Sequence, residues 1–273
     1  MVIASLDQII AALPGQIKNC YKASATSEGA GTFHSSWKNA GTPGAGSNPP
    51  AYTSGSGYTP TDATTGAIPF NNPTGGNETR LAKLAATCST MGVLILADRL
   101  WHCSGLTTNA ITTLNITTPG TIASRDNDGT ANGAGVELFG EVYTAPGATT
   151  ASWTVSYTDQ DGNTGQTATY THPANAETVG QMFPFTLAAG DTGVRAVASF
   201  TTSAASGTAG DIGLTLLRRI ATIPINLANF GVVLDAVQLG APKIYDDSCL
   251  FWMWLCSTTN TGNILADFNL VQG

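Results

Sequence analysis

The sequence predicts an all-β protein, an antiparallel two-sheet β-sandwich of jelly-roll type with a short N-terminal helix and an extended Gly/Pro-rich arm. Three observations lead there. Ser152 to Thr158 sets Trp153, Val155 and Tyr157 at alternate positions with small polar residues between them. That period of two gives a strand one apolar face and one wet face. Asp161-Gly162 follows as a turn, and Gln166 to Thr171 returns as a Thr-rich strand. Glycine accepts positive φ at no steric cost, so the three pieces read as an antiparallel hairpin. The same grammar recurs after residue 77 in about eight or nine segments of strand length separated by turn residues, a spacing that favours a sandwich or barrel over βαβ units.

In chain order, Ser5 to Gly15 reads as a short helix. Ser5 and Gln8 form a capping box, Leu6, Ile9, Ile10 and Leu13 form one apolar stripe, and Pro14-Gly15 ends it. A helix this short needs a surface to dock on. Residues 41 to 76 are too rich in Gly and Pro for helix or ladder, yet Tyr52, Tyr58, Ile68 and Phe70 space apolar anchors along them. An arm lying on another surface accounts for the anchors, and so does a long loop wrapping its own domain. Residues 1–76 are therefore taken as helix and arm, and 77–273 as the sandwich body.

Within the body, Arg80 to Thr87 fits helix or strand, and Met91 to Trp101 is a buried strand. Thr108 to Thr117 alternates weakly, Arg125 to Gly129 is a polar turn, and Gly135 to Tyr143 is a strand. After the hairpin come Met182 to Leu187, Val194 to Phe200 and a strand from Asp211 toward Pro224. Asn229 to Leu239 is expected to form a short helix closed by Gly240. Ser248 to Cys256 is apolar on both faces, which suits a central strand or, given Trp252 and Trp254, a subunit-interface strand. Ile264 to Val271 is the last strand.

Composition limits the function. Of 273 residues 42% are hydrophobic and 11% charged, against about 25% charged in an average soluble protein. A surface of Thr, Ser, Asn, Gly and Ala packs on other proteins without stranding charges, which suits an assembly protein as well as a plain compositional bias. The net charge is −7, and the 11 Lys and Arg residues form no basic run. Nucleic-acid binding by counterion release is not expected. No apolar stretch is long enough to span a membrane, and the start lacks the cationic and apolar regions of a secretion signal. The chain is expected to be made in the cytosol and to stay there or leave by cell lysis. The five cysteines, Cys20, Cys88, Cys103, Cys249 and Cys256, are expected to be buried free thiols, with inter-subunit disulfides as the alternative.

Motifs for chemistry are lacking. His34, His102 and His172 are scattered, and no cysteine or histidine has metal-ligand spacing. No Gly-x-Ser-x-Gly elbow or phosphate loop is present. Glu137 and Glu141 share a strand face about 13 Å apart by strand rise, too far for a glycosidase pair. Asp159 to Asn163 and Asp126 to Gly129 resemble half of a calcium loop but read more simply as turns. No catalytic, cofactor or metal residue is assigned, and no cofactor is expected.

Several stretches together carry a resemblance: Leu6-Asp7-Gln8-Ile9-Ile10, Trp37 with Ala40 to Gly46, Gly66 to Phe70, Asp98 to Trp101, Ser156 to Asn163, and Phe185 to Asp191. The chain resembles virion structural proteins of tailed bacteriophages. The resemblance implies a particle component, not an enzyme. With the low charge and the aromatic-studded arm, this resemblance leads to the expectation of a capsid decoration or cement protein, a trimer bound to the major capsid protein. The expected interface is Leu6, Ile9, Ile10, Leu13, Tyr52, Tyr58, Ile68, Phe70, Trp252 and Trp254. A tail, fibre or minor virion component is the alternative. A carbohydrate-binding module with Trp37 or Trp153 stacked on sugar is another.

Overall fold

The computed structural model describes residues 3–24, 29–117, 122–175, 177–259 and 262–273. Met1 and Val2, read above as part of the start, lie outside the described residues. Strand makes up 45% of the chain and helix 4%, so the all-β class expected from the periodicity is what the chain adopts.

In chain order the elements open with α1 (Leu6–Ala11), β1 (Gln16–Lys22), β2 (Phe33–Ser35), β3 (Gly41–Thr42), β4 (Thr79–Cys88) and β5 (Gly92–Thr107). Next come β6 (Thr113–Asn115), β7 (Glu137–Thr144), β8 (Ala151–Asp159), β9 (Gln166–His172), β10 (Gln181–Pro184) and β11 (Val194–Thr202). Last are β12 (Asp211–Ile225), β13 (Val232–Asp235), α2 (Ala236–Leu239), β14 (Lys243–Ile244), β15 (Leu250–Cys256) and β16 (Ile264–Gln272).

The chain forms two units. One comprises Met1–Ser47, Thr61–Asp98 and Arg219–Gly273, and the other Asn48–Pro60 and Arg99–Arg218. Residue 76 falls inside the first unit, and two of the crossings lie within β5 and β12.

The first unit carries an antiparallel sheet in the order β13-β4-β16-β1-β3, with β14 also on β4. β15 pairs with β2 and with the first half of β5. Leu84, Phe268 and Leu270 pack with Leu94, Leu96, Ile223, Trp252 and Trp254 in one core. Strand structure thus begins well before residue 77. β1 pairs along its whole length with β16, although its sequence is mostly polar. Its inward Lys22 is buried, and Nζ donates to the carbonyls of Asn39 at 3.3 Å and Gly44 at 3.2 Å. Burial holds the Lys22 ammonium below its ordinary pKa, partly countered by Cys20. Residues 229–239 are not one helix. Val232, Val233 and Leu234 pair with β4 as a strand, as a β-branched run prefers, and only the single turn of α2 follows. It has Asp235 as N-cap and Gly240 closing it at φ 70°.

The second unit carries the sheet β6-β11-β8-β9. The hairpin of β8 and β9 pairs Ala151 to Tyr157 with His172 to Gln166 in register. β7 pairs with both β10 and the first half of β12. Trp153, Val155, Tyr157 and Phe200 pack with Trp101, Leu138, Val142, Leu214 and Leu216. At Gly140 a Cβ would sit 2.1 Å from the Phe183 ring, so only glycine lets β10 lay that ring across β7.

Candidate functional site

The exposed apolar surface is the feature that remains after both cores are formed. α1 starts at Ser5, whose hydroxyl accepts from Gln8 N–H while the Gln8 side chain accepts from Ser5 N–H. The predicted capping box is therefore present. The stripe splits in two. Ile9 turns inward and packs with Ile3, Ala82, Ala241 and Val271. Leu6, Ile10 and Leu13 turn outward, 45%, 57% and 44% exposed. Val237 of α2 is also exposed. A cavity of about 430 Å³ lies there, lined by Ile3, Leu6, Ile9, Ala236, Val237 and Ala241.

The other expected interface residues are placed differently. Tyr58 is buried against Trp101 at a ring separation of 5.4 Å, with its hydroxyl donating to Ala51 O. Tyr52 is half-buried against the same core. Ile68, Phe70, Trp252 and Trp254 are buried in the first unit's core. Buried side chains have no surface to give a partner, so Tyr58, Ile68, Phe70, Trp252 and Trp254 are corrected from interface to core, while Tyr52 keeps part of its surface in water. The arm lies on its own chain, held by backbone bonds. Ser104 N–H donates to Pro50 O at 2.9 Å, His102 N–H to Tyr58 O at 2.8 Å, and Ile68 N–H to Leu250 O at 2.9 Å. Trp37 and Trp153 are also buried, at 1% and 0%. Neither offers a face for sugar.

The polar clusters are built for structure. Arg99 and Glu141, both with fully buried side chains, pair at 2.8 Å. Tyr143 Oη donates to the same carboxylate at 2.9 Å, and Thr215 Oγ1 donates to it at 3.3 Å. Burial together with the Glu141 charge pushes the Tyr143 phenol well up, and burial then the Arg99 charge push His102 well down. Burial drops His34 to about 4. Asp98 accepts from Ser248 Oγ and from Cys249 N–H, which ties β5 to the start of β15.

His172 makes the one constellation that sequence reasoning missed. Its Nδ1 lies 2.6 Å from Glu177 Oε2, its Nε2 lies 2.8 Å from Gly147 O, and its ring stacks on Trp153 at 4.6 Å. Tyr170 Oη donates to the other Glu177 oxygen at 2.8 Å. Both ring nitrogens face acceptors, an arrangement that favours the protonated ring. Burial pulls its pKa down, and Glu177 and Gly147 outweigh that and raise it. The signal available was a histidine and a glutamate a few positions apart, His172 and Glu177.

The two Asp loops are turns, as the simpler reading had it. Asp159 accepts from Asp161 N–H, Asn163 N–H and Asn163 Nδ2. Asp126 accepts from the N–H groups of Thr130, Gly133 and Ala134 and from Thr130 Oγ1. Among the described residues no cluster of three His, Cys, Asp or Glu side chains could hold a metal ion. All five cysteines are free and buried. Burial raises Cys20 to about 11, though Lys22 and Trp252 pull it down, and raises Cys103 to about 12. Among the described residues no helix is long and apolar enough to cross a membrane.

No family model and no curated protein match the chain. Among solved structures it is similar to the infectious bursal disease virus VP2 subviral particle, with a TM-score of 0.22 and 11% identity over 94% of this chain and 79% of that one. The Gt strain of the same virus gives a TM-score of 0.20 and 11% identity over 94% and 81%. Superpositions this loose carry no argument about what the chain does.

Proposed function

We propose that the chain is a non-enzymatic structural component of a virus particle, acting by adhesion to neighbouring proteins. The observation that carries this reading is the outward Leu6, Ile10 and Leu13 with Val237 beside them, on a chain only 11% charged. Exposed apolar patches of this kind mark protein contacts. The resemblance to tailed-bacteriophage virion proteins supports a capsid decoration or cement role. The partners would then be the major capsid protein and further copies of the chain. Apolar area buried across capsomer seams, at about 25 cal/mol per Å², would oppose expansion of the head.

The test is co-sedimentation with heads that lack the protein. The triple variant Leu6→Ser, Ile10→Ser, Leu13→Ser should lose at least tenfold in occupancy with an unchanged circular dichroism spectrum. Undiminished occupancy refutes the reading. Removing residues 1–76 is not a usable test, because it would take β1, Ile68 and Phe70 out of the first unit. Copy number separates the alternative: hundreds of copies per particle indicate the head, a handful the tail or fibre.

A further inference from the structure

The first unit's sheet has an outer face that the chain covers at one end only. There α1 and α2 pack Ile3, Ile9 and Ala241 over Ala82 and Val271. The rest of that face stays open. Register sets Tyr21 beside Leu265 and Leu265 beside Thr87, then Asn19, Asp267, Ala85 and Val233 in the next row, then Ile17, Asn269 and Lys83. Ile17, Tyr21, Val233 and Leu265 are exposed at 54%, 39%, 57% and 53%. The face is concave, with a volume of about 570 Å³ over its centre, where Asp267 is the one charged lining residue. Of the large exposed apolar side chains among the described residues, only Ile111 and Val179 belong to the second unit.

We propose that this open face is the contact between two copies of the chain, joined across a two-fold axis. Two arguments select a second copy. The first is charge. Lys83 and Asp267 lie diagonally on adjacent strands of the face, and neither makes an ion pair among the described residues. Asp235, directly opposite Lys83, accepts from the N–H groups of Val237 and Gln238 through Oδ1 alone. A face bearing charges of both signs is complementary to itself under a two-fold rotation that brings Lys83 of one copy to Asp267 of the other and the reverse. The second is area. Four half-exposed apolar side chains at roughly 100 Å² each, with Asn19, Lys83, Thr87, Asp267 and Asn269 between them adding roughly 50 Å² each, give about 650 Å² per copy, or about 1,300 Å² in all, which reaches the range of stable interfaces.

The contact is separate from the outward side of α1, so it adds a self-association to the adhesion proposed above. The experiment is sedimentation velocity on the purified full chain at micromolar concentration. The expected result is twice the chain mass. Leu265→Glu should weaken association at least tenfold. Lys83→Glu and Asp267→Lys should each do so, and the double charge swap should restore it. A monomer at hundreds of micromolar overturns the proposal. So does a dimer indifferent to Leu265→Glu, or a swap that fails to rescue. Head occupancy of the Leu265→Glu variant is read in parallel. Binding to heads by a chain that never dimerises would sink this inference and leave the structural role standing.

Discussion

Replacing Glu141 by Gln tests whether the second unit depends on its buried charge pair. Arg99 and Glu141 are both fully buried and 2.8 Å apart. The substitution keeps volume and shape but leaves the Arg99 guanidinium without that counter-charge in the core. Breaking a buried pair from one side costs about 3–5 kcal/mol, because the remaining charge still bears its desolvation penalty. Tyr143 and Thr215 already donate to this carboxylate, so they lose charge-assisted bonds as well, which places the expectation in the upper half of that range. For a unit of this size the loss is a fall of about 10–20 °C in midpoint. Arg99→Met alone should cost a similar amount. The double variant Arg99→Met, Glu141→Gln should be less destabilised than either single variant, since no charge is then stranded. Urea unfolding followed by tryptophan fluorescence gives the four corners of the cycle, with each unit allowed its own transition. Additive losses would refute the reasoning.

Three further outcomes are expected. His172 has a raised pKa, so its pair with Glu177 contributes fully below the unfolded value of about 6.5 and is lost as pH rises through the higher folded value. Thermal midpoints should therefore fall on the alkaline side in the native chain and lose that dependence in His172→Gln; equal slopes would contradict the assignment. Trp252→Ala should cost about 3–5 kcal/mol through the cavity it leaves in the first unit's core, measured by urea midpoint. With all five thiols buried and free, a thiol reagent should label none in the native chain and all five on unfolding. Rapid native labelling would show the burial to be wrong.

The legible parts of the fold were those where side-chain period and burial agree. Trp153, Val155 and Tyr157 point inward as their spacing says, and the β8–β9 turn falls at Asp161-Gly162. β1 was illegible because its pattern is inverted. Ile17 and Tyr21 face out while Lys22 faces in, made tolerable by two loop carbonyls that no local pattern announces. Of the apolar arm anchors, Tyr58, Ile68 and Phe70 are buried and Tyr52 half-buried. Spacing cannot say on which chain, and backbone bonds to Ser104, His102 and Leu250 decide it. In the candidate site, the cap of α1 was visible in Ser5 and Gln8. The outer sheet face was not, since it exists only once residues from β1, β4, β13 and β16 are side by side.

β16 lies between β1 and β4, so the middle plank of this sheet is made long after both of its neighbours. Until it arrives, β1 and β4 have unsatisfied edges and the apolar side of each is wet. Neither unit is a contiguous stretch of chain, so no single cut liberates one of them intact. Truncation from either end removes strands from the first unit, which makes point substitution the practical tool for dissecting this protein.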